Sequence, residues 1–323
     1  MSLTVTLALL LFAATTPLIL YRLKRNRRKR LQRDREIWSI GIYKGPSPIL
    51  IGPAADIKNP VFTAQQVTDV KARFVADPFM IEHDGEFHLF FEVLNSKREK
   101  GEIGCARSSN LKEWQYGGIV LRERFHLSYP SIFLHDGEIY MLPECADSHE
   151  VRLYKAAAFP NRWQYAATLI KSKKRYPPLL DPSIIHHEGR WYLFSNARKV
   201  NDLHLFSSDA LFGPWTEHPQ SPVLTASPHF ARPGGRVVRD GDNLYRYAQD
   251  GIPNYGSKVW AFRITELSKG SYREEQVDGG PVIQAGIQAG EKGWNNRGMH
   301  TVDAHQQENG EWIALVDGLE LKV

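Results

Sequence analysis

FVADPFMIEHDGEFHLFFE, residues 74–92, consists of two runs of β-favouring residues on either side of Asp84-Gly85. A two-residue Asp-Gly loop between such runs is a signal for a type I′ hairpin. Counting symmetrically outward from this turn places Asp77 opposite Glu92, so two carboxylates are expected on one sheet face. Opposed side chains stand with Cβ atoms about 4.5–5.5 Å apart. Both acids cannot ionise there without mutual cost, and a proton, a cation or a ligand is expected between them.

The plan of this hairpin returns along the chain. Ala76-Asp77-Pro78 leads to Glu92, Ser128-Tyr129-Pro130 to Glu144, Leu180-Asp181-Pro182 to Asn196, and Ala231-Arg232-Pro233 to Gln249, while the turn glycines Gly85, Gly137, Gly189 and Gly241 keep a spacing of 52. After the hairpin comes a third strand, as in 104–109, 151–155 and 203–208, and then a fourth segment carrying Trp114, Trp163 or Trp215. Four antiparallel strands per repeat of this length make a β-propeller blade. A fifth copy, from Met299 through Asn309-Gly310 to Asp317, has only the inner hairpin, and Ile37 to Ile51 can supply its outer strands, closing the ring and removing an open edge. The expected fold is therefore all-β, a five-bladed β-propeller over 37–323 with blade five closed by strands from 37–51. Gln284 to Trp294, rich in Gly and polar residues, reads as a loop over one face.

In a propeller the first strands line the central channel, so equivalent positions of the repeat converge at its mouth. Asp77, Glu144 and Asp181 are the candidate catalytic residues. Carboxylates in unlike environments can hold separated pKa values, as glycosyl transfer requires, with Asp77 as base or nucleophile, Glu144 as acid and Asp181 as an orienting charge. Glu92, Tyr129, Arg232, Gln249, His300 and Asp303 are the candidate substrate-binding residues. The competing reading is that acids near strand ends simply tie down backbone N–H groups. Tyr129, Trp191, Tyr245 and Tyr255 could stack on sugar faces, although most Trp and Tyr sit at repeat positions expected in the core.

Leu3 to Tyr21 is free of charge and long enough, at about 1.5 Å per residue, to cross a bilayer's hydrocarbon layer of roughly 30 Å. Residues 1–21 are expected to form one transmembrane anchor and 22–36 a basic juxtamembrane linker. Nine of the 41 Lys and Arg lie between Arg22 and Arg35, with one of the 36 Asp and Glu, so the formal charge of +5 belongs to this segment and the rest is slightly acidic. The positive-inside rule then puts the propeller on the cytoplasmic side of a single-pass membrane protein. Contact of the cluster with anionic headgroups is compatible with that arrangement, and nucleic acid is not an expected partner, because no aromatic or structured context accompanies the charge.

Cys105 and Cys145 lack metal-ligand spacing and read as small buried residues with free thiols. P-loop, G-x-G-x-x-G, HExxH, G-x-S-x-G and paired C-x-x-C motifs are absent, which disfavours nucleotide, zinc-peptidase and α/β-hydrolase chemistry. No cofactor or metal is expected, and His186-His187 reads as an exposed pair.

Phe74-Val75-Ala76-Asp77-Pro78-Phe79, His126-Leu127-Ser128-Tyr129-Pro130, Met141-Leu142-Pro143-Glu144, Glu150-Val151-Arg152-Leu153-Tyr154 and Gly310-Glu311-Trp312-Ile313-Ala314 give the chain a family likeness. From about Trp38 to Gly318 it resembles the N-terminal domain of plant glucosamine inositolphosphorylceramide transferases. That propeller is in turn similar to five-bladed furanosidase-like glycosidases, in which acids at the start of inner strands do the chemistry. The resemblance implies that Asp77 matches the blade-one acid and Asp181 a later one, whereas Tyr129 stands where the glycosidases usually offer an Asp. In the transferases a glycosyltransferase domain follows the propeller, while this sequence runs to Val323. The expected role is thus a membrane-anchored propeller that binds a glycan or glycolipid headgroup and supports a separate glycosyltransferase, with a glycoside hydrolase or transglycosidase as the alternative. The resemblance also implies a lumenal domain in Golgi membranes, against the cytoplasmic side that the charge rule favours.

Overall fold

The inner hairpins carry most of the architecture, because their alternating apolar residues face the neighbouring blades. A computed structural model of the protein describes residues 35–172, 177–286 and 293–321. Blade one is built from Ala72–His83, Glu86–Asn95, Lys100–Ser108 and Gln115–Leu121. Blade two contains Ser128–His135, Glu138–Glu144, Glu150–Ala158 and Arg162–Lys171, and blade three Leu179–His187, Arg190–Ala197, Asp202–Ser208 and Thr216–Glu217. In blade four the inner strand is split into Arg232–Pro233 and Val238–Asp240, both paired with Asn243–Asp250, ahead of Lys258–Leu267 and Tyr272–Gln276. Blade five runs Leu50–Pro53, Glu36–Ser47, Trp312–Leu321, Val302–Gln306 from outside to inside, so it joins strands from both ends of the described chain.

Five apolar cores lie between successive blades and hold the ring. Ile40, Ile42 and Ile313 of blade five meet Val75, Leu89 and Phe91 of blade one, and Phe90 and Ile103 of blade one meet Ile132 and Met141 of blade two. Leu142 and Leu153 join Leu193 and Phe206, Phe194 and Leu205 join Val237 and Ile264, and Tyr247 and Val259 join Val302 and Ala314. Trp114, Trp163 and Trp215 recur in one role: each indole N–H donates to a carbonyl three or four residues earlier, Leu111, Pro160 or Leu211, at 2.9–3.1 Å and folds the connection between third and fourth strands.

The hairpin register differs from the symmetric count. His83 to Phe79 pair with Glu86 to Phe90 as expected, but then Ala76, not Asp77, pairs with Glu92. Ser128 likewise pairs with Glu144 and Leu180 with Asn196. Each inner strand inserts one extra residue, a β-bulge at Asp77-Pro78, Tyr129-Pro130 or Asp181-Pro182. The bulged residues have left-handed φ values of 52°, 47° and 49°. Proline suits the second bulge position because it has no N–H to leave unpaired. The expected pairs Asp77–Glu92, Tyr129–Glu144 and Asp181–Asn196 are therefore corrected: the bulge moves the first member of each off the sheet's alternation and toward the next blade.

The expected transmembrane segment and basic linker lie outside the described residues, apart from the linker's last two positions. Among the described residues no helix is long and apolar enough to cross a membrane. Of the 284–294 loop, residues 287–292 are also outside the described residues. Trp294 lies against Gly41 and Gly318, where an added Cβ would fall 2.4–2.5 Å from the ring.

Candidate functional site

The three bulges and the second-strand positions Glu92, Glu144, Asn196, Gln249 and Asp317 converge at the mouth of the channel. Asp317 Oδ2 accepts the amide of Asp77 at 3.1 Å, and Asp77 Oδ2 accepts the amide of Tyr129 at 3.2 Å, so the acid of one blade holds the bulge of the next. The other Asp77 oxygen accepts from the Thr301 hydroxyl at 3.0 Å and stands 3.5 Å from His300 Nε2. His300 Nδ1 meets Asp317 Oδ2 at 2.6 Å, and Asp317 Oδ1 accepts the amides of His300 and Thr301. On the other side of the mouth Asp181 Oδ2 accepts from Arg232 Nε at 2.5 Å and Gln249 Nε2 at 2.7 Å, with Glu144 Oε2 3.7 Å from Arg232 Nη2.

These environments separate the acids. Burial pushes Glu144 well above the usual carboxylate range, and the charge of Asp181 pushes it further. Burial also raises Asp181, but Arg232 and the hydrogen bond from Glu144 outweigh it and hold the group ionised. Burial raises Asp77 to about 7, against the opposing pull of His300 and with reinforcement from Glu92. For His300 burial works downward, yet Asp317 prevails and lifts the imidazole to about 9. Of the two acids, Glu144 is thus the one that holds its proton more readily and Asp181 the one held ionised, and at neutral pH His300 is an imidazolium between Asp317 and Asp77.

Among the described residues, three acceptors at the mouth are buried with no hydrogen-bond partner: Glu92 Oε1, Glu144 Oε2 and Gln249 Oε1. Glu92 has an ionic neighbour in His126, whose Nε2 lies 3.3 Å away and whose pKa Glu92 raises against burial. Leaving a buried acceptor unsatisfied costs about 1–3 kcal/mol. Tyr255, a residue 49% exposed, covers the mouth; Arg232 Cζ lies 5.1 Å from its ring centroid, and His300 meets the ring edge-on at 5.2 Å.

Two expected binding residues sit elsewhere. Tyr129 is fully buried, and its hydroxyl crosses the channel to donate to Gly235 O at 2.8 Å and accept from Gly235 N at 2.6 Å, with Ser183 Oγ 2.9 Å from both oxygens. It plugs the channel below the acids and offers no face to a ligand. Asp303 lies further toward the hairpin turns, where it accepts the Met80 amide and pairs with Arg236 at 2.6 Å and His305 at 2.7 Å. Burial raises its pKa, but Arg236 and His305 outweigh that and lower it to about 2. The fifth hairpin has a longer connection, 307–311, than the two-residue turns, so the count from Gly310 does not match the other blades: Asp303 pairs with Leu315, two short of Asp317, as Phe79 pairs with Phe90, two short of Glu92. Of the four aromatic stacking candidates, Trp191 and Tyr245 belong to inter-blade cores and Tyr129 to the plug, which leaves Tyr255.

Sequence reasoning overlooked Thr301, His126 and Trp38, and it named Asp317 only as a repeat counterpart. Trp38 stacks on His300 at 4.2 Å, a contact between opposite ends of the chain that no local pattern announces. Thr301 could have been found by extending the Asp77 series inward in the fifth blade. Donor atoms of Asp77, His300 and Asp317 approach within 4.8 Å of one another in a geometry that could hold a metal ion, but Asp317 already accepts three amides, Asp77 accepts the Tyr129 amide and the Thr301 hydroxyl, and the two ring nitrogens of His300 face these carboxylates. His187 is hydrogen-bonded to Arg239, and Cys105 and Cys145 are buried free thiols.

Fold and site together define a class: five-bladed propellers with an acid-lined channel mouth. Solved glycoside hydrolases share the fold. A thermostable family-43 enzyme superposes with a TM-score of 0.55 at 13% identity, covering 82% of this chain and 92% of its own. Zg3597, a family 117 enzyme from Zobellia galactanivorans, gives 0.51 at 14% identity, covering 77% and 85%. Sequence narrows the class: the chain belongs to the family described as glucosamine inositolphosphorylceramide transferase 1, N-terminal, which matches residues 31–319. Glucosamine inositolphosphorylceramide transferase 1 of Oryza sativa subsp. japonica is 36% identical over 306 residues, and that of Arabidopsis thaliana 34% over 303, each alignment covering 87% of this chain. The chain spans about 40% of the length of these curated relatives.

Proposed function

We propose that the propeller binds the headgroup of a glycolipid, or a related glycan, at the channel mouth and supports glycosyl transfer by a separate glycosyltransferase. The observation that carries this reading is the set of acceptors without a hydrogen bond, Gln249 Oε1 together with Glu92 Oε1 and Glu144 Oε2, which have only ionic neighbours in His126 and Arg232, beside a half-exposed Tyr255. Sugar hydroxyls are donors of the right kind for such acceptors, an aromatic face suits a pyranose ring, and a guanidinium suits a phosphodiester. The relatives' name, which joins a sugar, inositol phosphate and ceramide, fits that combination. Leu3 to Tyr21 would anchor the chain in the bilayer, with the propeller on the cytoplasmic side by the positive-inside rule; protease protection in sealed vesicles tests that side.

A second reading, glycoside hydrolysis or transglycosylation, is favoured by the unlike protonation states of the acids. In it, protonated Glu144 donates to the leaving oxygen, Asp77 with a pKa of about 7 acts as base or nucleophile, and ionised Asp181 orients Arg232. A glycan array and a panel of aryl glycosides, run on the full chain beside Asp77→Asn and Glu92→Gln, separate the two. Binding without turnover, weakened by Glu92→Gln, is expected. Turnover abolished by Asp77→Asn would establish the enzyme instead, and absence of binding and turnover on all ligands would remove both.

A further inference from the structure

The mouth-side end of blade one has an uneven charge. Lys71 precedes its inner strand and Arg73 lies at its start, Lys97 and Arg98 occupy the connection between its second and third strands, Lys100 opens the third, and Arg122 and Arg124 follow the fourth. These segments touch: Ser96 N donates to Lys71 O at 2.8 Å, Arg98 Nη2 to Glu123 O at 3.2 Å, and Lys100 Nζ to Arg124 O. Seven cations stand there with three acids, Glu99, Glu102 and Glu123, and buried Glu102 is held between Arg98 at 2.8 Å and Arg122 at 3.2 Å. Lys71, Lys97, Arg98, Arg122 and Arg124 are exposed. The rim borders the site, because the Gly101 amide donates to Nδ1 of His126, the residue that faces Glu92.

The other end of the channel has the opposite character. Its hairpin turns carry Asp84, Asp136, Glu188, Asp240 with Asp242, and Glu308, and the first three are 77–89% exposed. A third observation fixes where the chain enters. Trp38 and Leu319, near the two ends of the propeller, pack with Ala76 beside the mouth. The strand that follows the basic stretch Arg22 to Arg35 therefore begins at the basic end.

We propose that the basic rim of blade one docks on an anionic lipid surface, with the channel mouth turned toward the bilayer and the acidic turns away. The cations are spread over an open rim, and the aromatics next to them in sequence, Phe74 and Phe125, are partly buried against the cores, which suits a diffuse sheet of negative charge better than a nucleic acid strand. The contrast between the basic rim of blade one and the acidic hairpin turns orients the protein before contact, and the attraction acts within a Debye length of about 8–10 Å at physiological salt. This docking follows from charge placement and stands whether or not the mouth binds a glycolipid.

The test uses the full chain with lipid nanodiscs of phosphatidylcholine, with or without phosphatidylserine, carrying a headgroup spin quencher. A fluorophore is attached at Lys97→Cys or, separately, at Asp136→Cys; the native thiols are buried and stay unlabelled. Quenching at position 97 but not 136, dependent on phosphatidylserine and relieved by salt, is expected. Adding Lys71→Glu and Arg124→Glu, whose side chains hold no buried acid, should weaken docking about 100-fold while leaving the thermal midpoint unchanged. Equal quenching at the two positions, stronger quenching at 136, or indifference to phosphatidylserine or to the charge reversals would overturn the proposal.

Discussion

Asp181 shares one oxygen between Arg232 Nε and Gln249 Nε2 while its charge helps keep Glu144 protonated. Asp181→Asn should therefore lower the Glu144 pKa, read by carboxyl carbon NMR titration, and lower stability by about 3 kcal/mol because a largely covered Arg232 loses its nearer ion partner. An unchanged Glu144 titration would show that burial alone sets it. His300 gives a pH signature. Its folded pKa of about 9 exceeds the unfolded value of about 6.5, so the stability it supplies is complete below pH 6.5 and lost as pH rises through 9. The full swing is at most ~3 kcal/mol. Asp77, also raised, acts in the same direction between about pH 4 and 7. Urea denaturation at pH 6.5 and 9.5 should show a fall in wild-type stability that His300→Gln largely lacks; parallel behaviour of the two proteins would refute the assignment.

At the scale of elements, the repeating X-Pro bulge does most to shape the site, and it was the least legible in sequence. The spacing of the turn glycines disclosed the hairpins, the blade count and the second-strand series Glu92, Glu144, Asn196 and Gln249. The inserted residue shifts the alternation by one, but too few strand residues lie beyond the bulge to display the shift, Ser128 alone in blade two and Leu179–Leu180 in blade three, and a left-handed φ at Asp77, Tyr129 or Asp181 leaves no glycine to mark it. The displacement of Asp303 has another cause, the longer 307–311 connection of the fifth hairpin, whose register is unbroken from Val302 to Gln306. The split inner strand of blade four depends on a close approach: a Cβ on Gly235, at φ +149°, would lie 1.8 Å from Val302 O. Gly235→Ala should cost more than about 3 kcal/mol by thermal denaturation, since blade five and the Tyr129 plug meet the same peptide. Tyr129→Phe should cost about 1–3 kcal/mol through the Gly235 N–H left unsatisfied, while Ser183 still serves the Gly235 carbonyl, and should leave ligand affinity unchanged; a loss of affinity would bring Tyr129 back into the site.

For the whole molecule the decisive joint is blade five, where residues 36–53 complete a sheet begun by 302–321. Removing everything before Ala54 would strip Ile40, Ile42 and Tyr43 from two inter-blade cores. Such a chain should bind hydrophobic dyes, self-associate and lose cooperative unfolding, and a monomer with a sharp thermal transition would contradict this account of closure. The same joint has a mechanical consequence. Trp38 and Leu319 lie together, so a force applied across the two ends of the propeller acts at one end of two adjacent strands and peels them apart bond by bond instead of loading the whole ladder at once. The ring is a clasp, secure while its two tails leave side by side and weakest when they are drawn in opposite directions.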